Sequence, residues 1–146
     1  ADEADSDEEE AAEAEADEAE AELEAAIEVE NDLRSEIVTY ALQLVGNRYK
    51  YGGTNPNTGV DCSGFTSYVM RHAAEVELPH SSGGQSRMGR QVSSSEMRPG
   101  DIICYSGHVA IYIGGGAIVH ASNERDGIKI SSNAAYTTIL AVRRVV

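Results

Sequence analysis

Pro99-Gly100-Asp101 divides this chain into two regimes of hydrophobic periodicity. Before it, apolar residues recur at helical spacing. Leu33, Ile37, Tyr40, Ala41, Leu44 and Val45 share one face, closed by Gly46, and Phe65, Tyr68, Val69 and His72 share another. After it come five short runs rich in β-branched residues, at 101–105, 108–113, 117–120, 128–131 and 139–145. Helices first and strands afterwards predict an α+β domain, with helices packed on an antiparallel sheet of five to six strands, rather than alternating βαβ units. The second helix is expected to end near residues 75–77. Residues 79–98, rich in Ser, Gly, Arg and Gln, read as loop with one short helical turn over 84–88.

Charge separates the chain a second time. Of 25 acidic residues, 17 fall in residues 1–32, which hold no Lys or Arg; the rest of the chain carries 8 acids against 11 bases. The formal charge of −14 therefore describes an acidic segment, residues 1–31, attached to a mildly basic domain, residues 32–146. Residues 1–30 are nearly all Ala, Glu and Asp. They favour helix by propensity but lack an apolar stripe, with only Leu23 and Ile27 at i,i+4 spacing. Clustered like charges oppose an isolated helix, so the segment is expected to be disordered or a frayed, solvated helix. With no Gly or Pro before residue 46, the first helix of the domain is also free to continue back into it. A sharper expectation is an arm that covers the basic domain and restrains its activity. No basic cluster with interleaved aromatics supports nucleic-acid binding. No run approaches the roughly 20 apolar residues of a membrane span, and residue 1 opens into the acidic run without a secretion signal.

Asp61-Cys62-Ser63-Gly64-Phe65 places a thiol where the second helix begins, behind the polar loop of residues 51–60. The helix dipole and unpaired N–H groups there favour a thiolate, the nucleophilic form. Two histidines on strand-like runs, His108 and His120, supply a base and a group to orient it. Cys104 lies inside an apolar run and reads as a small buried hydrophobe, so no disulfide with Cys62 is expected. His72 and His80 read as surface or structural residues, with His80 a candidate for the cleft wall.

Whether the two histidines cooperate depends on register across Gly114-Gly115-Gly116. A two-residue turn over Gly114-Gly115 puts Val109 opposite His120 and turns His108 to the other face. A three-residue turn over all three glycines puts Ala110 opposite His120. His108 and His120 then become diagonal neighbours on one face, roughly 7–8 Å apart at the backbone. The catalytic reading requires the odd loop.

Several stretches bear on the same chemistry in one order: Tyr49-Lys50-Tyr51-Gly52-Gly53, Gly59-Val60-Asp61-Cys62-Ser63-Gly64-Phe65, Leu78-Pro79-His80-Ser81-Ser82, Arg98-Pro99-Gly100-Asp101-Ile102, Gly107-His108-Val109-Ala110-Ile111-Tyr112-Ile113-Gly114 and Ile118-Val119-His120-Ala121-Ser122. From about residue 35 to residue 146 the chain resembles the NlpC-type cysteine peptidases of bacterial cell walls, a papain-like group. The resemblance implies hydrolysis of peptidoglycan stem peptides, usually between D-γ-glutamate and a diamino acid, by a secreted, cell-wall-associated enzyme. It implies Cys62 as nucleophile, His108 as base and His120 as the third polar residue. Tyr49 matches a tyrosine that helps the oxyanion site, and Asp61, Ser63, Ser81 and Ser82 match substrate-contacting positions. The implied mechanism needs no metal and no organic cofactor. The chain departs from the group at His80, where an arginine is common, and at Cys104, where an aromatic is common; both bear on substrate preference.

Three rival readings use the same residues. Zinc could be held by Cys62, Cys104, His108 and His120, but the closely spaced Cys and His pairs of zinc sites are missing. A thiol amidase or acyltransferase could run the same constellation on another bond. A peptidoglycan-binding module would keep the fold without turnover. A monomer acting on an anionic muropeptide suits the basic domain, with Arg48, Lys50, Arg87 and Arg90 as cations near the site.

Overall fold

The computed structural model describes residues 2–146, with side chains from residue 16 onward. The chain divides into two units, one ending at Asp32 and the next beginning at Leu33. The first helix, α1, runs Asp2–Gln43 and enters both. The acidic segment forms part of that helix. Alanine and glutamate carry high helix propensity, no Gly or Pro interrupts the run, and like-charge repulsion costs only a few tenths of a kcal/mol per pair. Side chains of residues 16–29 are exposed. Among the described residues, no helix is long and apolar enough to cross a membrane.

In the second unit, the end of α1 buries Ile37 and Ala41 completely. A polar loop follows, with a small ribbon of β1 (Thr54–Asn55) and β2 (Gly59–Val60), and then helix α2 (Cys62–Ala74). Asp61 caps α2, accepting from the Gly64 N–H at 2.8 Å, and Glu75 ends it in the left-handed conformation. The loop lies against the first turn of α2 so closely that a Cβ on Gly64 would collide with the Gly53 carbonyl oxygen. A four-residue helix, α3 (Ser82–Gln85), and β3 (Arg90–Gln91) lead to β4 (Ile102–Tyr105), β5 (His108–Gly114), β6 (Ala117–Asn123), β7 (Gly127–Ser131) and β8 (Ala141–Arg144). These six strands form one antiparallel sheet in the order β3-β8-β4-β5-β6-β7. The architecture is the expected α+β one, with six strands.

Alternation along the strands makes two cores. Ile102, Cys104, Val109, Ile111, Val119, Ala121 and Ile128 pack with Phe65, Val69 and Met70 of α2 and with Ile37. Ile103, Tyr105, Ala110 and Ile118 pack on the other face beneath Ala134. Buried Asp101 binds the ends of the unit together. It accepts from Arg34 at 3.2 Å and from Arg144 at 2.7 and 2.9 Å, and the Arg98 N–H donates to it at 2.8 Å. Arg34 also donates to the carbonyl of Val146 at 2.7 Å.

The β5–β6 hairpin reaches the required register by an unexpected route. Gly114 pairs with Ala117 across a two-residue turn, Gly115-Gly116, whose φ angles of 61° and 79° suit glycine. The ladder then shifts at Ile113, and Tyr112 pairs with Ile118 and Ile111 with Val119. Ile113 is a bulge residue. Turn and bulge together do the work of the expected three-residue loop, carrying His108 and His120 to one face.

Candidate active site

Cys62 is the first residue of α2, half-buried, and both it and Cys104 are free thiols. The backbone N–H groups of Val109 on β5 and of Ser63 lie near its sulfur and favour the anion. These donors favour a thiolate, but burial weighs more, and the Asp61 carboxylate adds to it, so the Cys62 pKa lies above the ordinary thiol value. Burial thus opposes the pull of the helix start, in keeping with a thiol whose proton a base must take. Cys104 is buried within β4, which pushes its pKa up to about 11. Among the described residues, no group of three or more His, Cys, Asp or Glu is placed to hold a metal ion.

His108 is the first residue of β5, next to Val109. Its Nε2 lies 2.7 Å from His120 Nδ1, and the rings meet edge to face with centroids 5.0 Å apart. The other nitrogen of His120, Nε2, lies 2.8 Å from Ser131 Oγ on β7. Burial holds the His108 pKa below the usual imidazole value. For His120, burial acts together with His108 and Lys129, and its pKa falls to about 4. Both rings are neutral near pH 7. A neutral His108 accepts a proton, and a neutral His120 accepts a hydrogen bond from it.

Aromatic residues surround this pair. Tyr105 lies 6.0 Å from His108 and Tyr136 lies 6.1 Å from His120, centroid to centroid. Burial, followed by the nearby Cys62 sulfur, raises the pKa of both Tyr49 and Tyr136, so each phenol sits within electrostatic reach of the nucleophile. The sequence singled out Tyr49 but not Tyr136.

Asp61 is engaged on several sides. Besides capping α2, it accepts from the Gly52 N–H at 3.1 Å, and His80 Nε2 lies 2.7 Å from its Oδ1. Burial would raise its pKa, but His80 and the Gly64 and Gly52 N–H groups outweigh that and hold it below the usual carboxylate range. His80 thus lies against the residue that precedes Cys62. Ser63 is buried, and its hydroxyl reaches Asp61 Oδ1 at 3.4 Å. Ser81 caps α3 through the Gly84 N–H at 2.9 Å, and Ser82 begins that helix. Gln85, at 0% exposure, fastens α3 to α2: its Nε2 lies 2.9 Å from the carbonyls of Ser63 and Pro79 and 3.0 Å from Ser67 Oγ, while Thr66 Oγ1 donates to its Oε1 at 2.5 Å. No spacing rule marks Gln85; its only signal is an amide in a Ser- and Gly-rich stretch. Of the expected cations, Arg48 lines a polar cleft of about 600 Å³ with Glu124, Arg125 and Asp126. Arg90 lies on β3, the edge strand two strands removed from β4. His72 stacks on Tyr68 at the surface.

Residues 46–144 match the NlpC/P60 family. The chain belongs to the NlpC/P60 family. It is 38% identical over 110 residues to the Murein DD-endopeptidase MepS/Murein LD-carboxypeptidase of Escherichia coli (strain K12), covering 72% of this chain and 58% of that relative. The Gamma-DL-glutamyl hydrolase of Bacillus subtilis (strain 168) is 35% identical over 96 residues, 64% of this chain and 22% of the relative. The chain thus spans little more than half of the first relative and less of the second. Among solved structures, the NlpC/p60 domain of the peptidoglycan hydrolase SagA superposes with a TM-score of 0.68 at 29% identity, covering 76% of this chain and 97% of that one. The peptidoglycan hydrolase RipB of Mycobacterium tuberculosis gives 0.71 at 26% identity, over 80% and 66%. In this NlpC/P60 chain, Cys62, His108 and His120 all lie inside the matched span.

Proposed function

We propose that this chain is a cysteine endopeptidase that hydrolyses peptidoglycan stem peptides through Cys62, His108 and His120. The observation that carries the reading is the His108–His120 contact of 2.7 Å, on a strand whose Val109 lies near the Cys62 sulfur. His108 takes the thiol proton as the sulfur attacks the amide carbonyl. The N–H groups of Cys62 and Ser63, with the Tyr49 hydroxyl, stabilise the tetrahedral oxyanion. Protonated His108 then gives its proton to the leaving amine. Water, deprotonated by His108, hydrolyses the thioester and restores the thiol.

The bond is the one between D-γ-glutamate and the following diamino acid, in keeping with the relative named a gamma-DL-glutamyl hydrolase. Asp61, His80, Ser81 and Ser82, assembled by the α2 cap and by Gln85, form the acyl-side wall. A second reading is favoured by the more similar relative, named for DD-endopeptidase and LD-carboxypeptidase activity: cleavage at the cross-link or at the stem's end. Such substrates lie outside the cytoplasm, and the domain acts there. Mass spectrometry of muropeptides digested with the chain, beside its Cys62→Ala variant, tests both. New fragments ending at γ-glutamate, seen only with Cys62 intact, support the first bond. Separated cross-linked stems support the second, and no Cys62-dependent fragments would refute the peptidase.

A further inference from the structure

We propose that Ser131 is a positioning residue whose hydroxyl supplies the acceptor that the productive tautomer of His120 needs, and so keeps a nitrogen of His108 free to take the Cys62 proton. The inference rests on the catalytic reading above and adds a residue that no motif marked.

His120 is held at both ring nitrogens, by His108 Nε2 at 2.7 Å and by Ser131 Oγ at 2.8 Å. The pairing across β6 and β7 explains how. Lys129 lies opposite His120 and Ser131 opposite Ile118, so Ser131 is the diagonal neighbour of His120 on the same face. His108 Nδ1 has no hydrogen-bond partner among the described residues, and it is the nitrogen left for the thiol.

A neutral imidazole has one N–H and one lone pair. For His108 Nδ1 to accept a proton, its own N–H must sit on Nε2, and that N–H donates to His120 Nδ1. His120 must then carry its proton on Nε2, and this N–H needs an acceptor in a site where the residue is 3% exposed. The Ser131 hydroxyl supplies that acceptor; in the reverse arrangement it would donate to Nε2 instead, so its loss strands a buried N–H in the productive tautomer but only a lone pair in the other. When every proton moves one place the other way, His108 presents an N–H to the sulfur and cannot serve as base. The productive arrangement is also the one required after proton transfer, because protonated His108 still donates from Nε2 to His120. Other groups facing His120 do not substitute. The Lys129 ammonium has donors only and is paired with Asp126 at 3.1 Å, and the Tyr136 ring centroid is 6.1 Å away.

Nitrogen-15 NMR of histidine-labelled protein, with the alkylation rate of Cys62 at neutral pH, tests the proposal without substrate. In the unmodified chain, His108 and His120 should both be Nε2–H tautomers. Ser131→Ala should give His120 a mixed tautomer population and slow alkylation about three- to tenfold, the worth of one ordinary hydrogen bond. Ser131→Thr, which keeps a hydroxyl, should restore both readouts and control for folding. Lys129→Met, which removes the adjacent charge, should leave the tautomers unchanged. An Nδ1–H tautomer of His120 in the unmodified chain, unchanged tautomers in Ser131→Ala, or the same shift in Lys129→Met would each overturn the assignment. If the peptidase reading fails, hydrolysis is missing while these tautomers stand; if this proposal fails, the tautomers themselves show it.

Discussion

Replacing Gln85 with leucine tests how the wall beside the nucleophile is held. The side chains have similar volume, so the substitution removes polar contacts with little change in packing. The amide offers two N–H groups to three acceptors, the Ser63 and Pro79 carbonyls and Ser67 Oγ, all within 3.0 Å, and its oxygen accepts from Thr66. At about 1 kcal/mol net for each of about three hydrogen bonds, the loss is about 3 kcal/mol. Part is recovered, since Thr66 still donates to the Ser63 carbonyl at 3.1 Å. For a domain of this size the melting temperature should fall by roughly 10 °C. Urea unfolding followed by near-ultraviolet circular dichroism reads the tyrosine-rich domain and avoids the signal of the acidic helix. Because Gln85 anchors α3 rather than Cys62, KM for a stem tripeptide should rise several-fold while kcat changes less. A stability loss below about 0.5 kcal/mol with unchanged KM would refute the claim that Gln85 holds this wall.

Asp101→Asn removes the charge shared by two buried guanidiniums and should cost about 3–5 kcal/mol in the same unfolding assay; a neutral result would show that Arg34 and Arg144 find other partners. Burial lowers the His108 pKa, so the neutral base persists below pH 6.5. The acid limb of kcat/KM should therefore have its midpoint below 6.5, with activity lost as pH falls through it, and a midpoint above 6.5 would contradict the assignment. Gly64→Ala drives a Cβ into the Gly53 carbonyl and should shift the loop, destabilising the domain by about 1–3 kcal/mol and lowering activity. Thermal unfolding and hydrolysis rates equal to those of the unmodified chain would count against the close approach.

Much of this was legible in the residues. Strand runs at 108–113 and 117–120 correspond to β5 and β6 because alternating β-branched residues leave few other ways to bury one face. Cys62 begins α2 because Asp61 can cap it and the Phe65–Val69 face can bury. The hairpin shows the limit: residue spacing demanded an odd offset but could not distinguish a wider loop from a two-residue turn with a bulge at Ile113, since both give one register. Two-residue strands such as β1 and β3 carry too few side chains for a periodic signal. Gln85, Asp101 and Ser131 escaped notice as buried or paired groups because partners such as Ser63, Arg34 and His120 lie 22, 67 and 11 residues away, respectively. The environment of the thiol was legible only in part: a helix start is visible in a sequence, but the depth of burial that opposes it is not.

Intact-protein mass spectrometry of the chain, quenched in acid during turnover of a γ-glutamyl stem peptide, is the most direct test of Cys62 as nucleophile. The account predicts an acyl adduct equal in mass to the stem fragment up to γ-glutamate, localised to the peptide containing Cys62 and missing in Cys62→Ala, which should also have lost hydrolysis. Hydrolysis that continues undiminished in Cys62→Ala would contradict it.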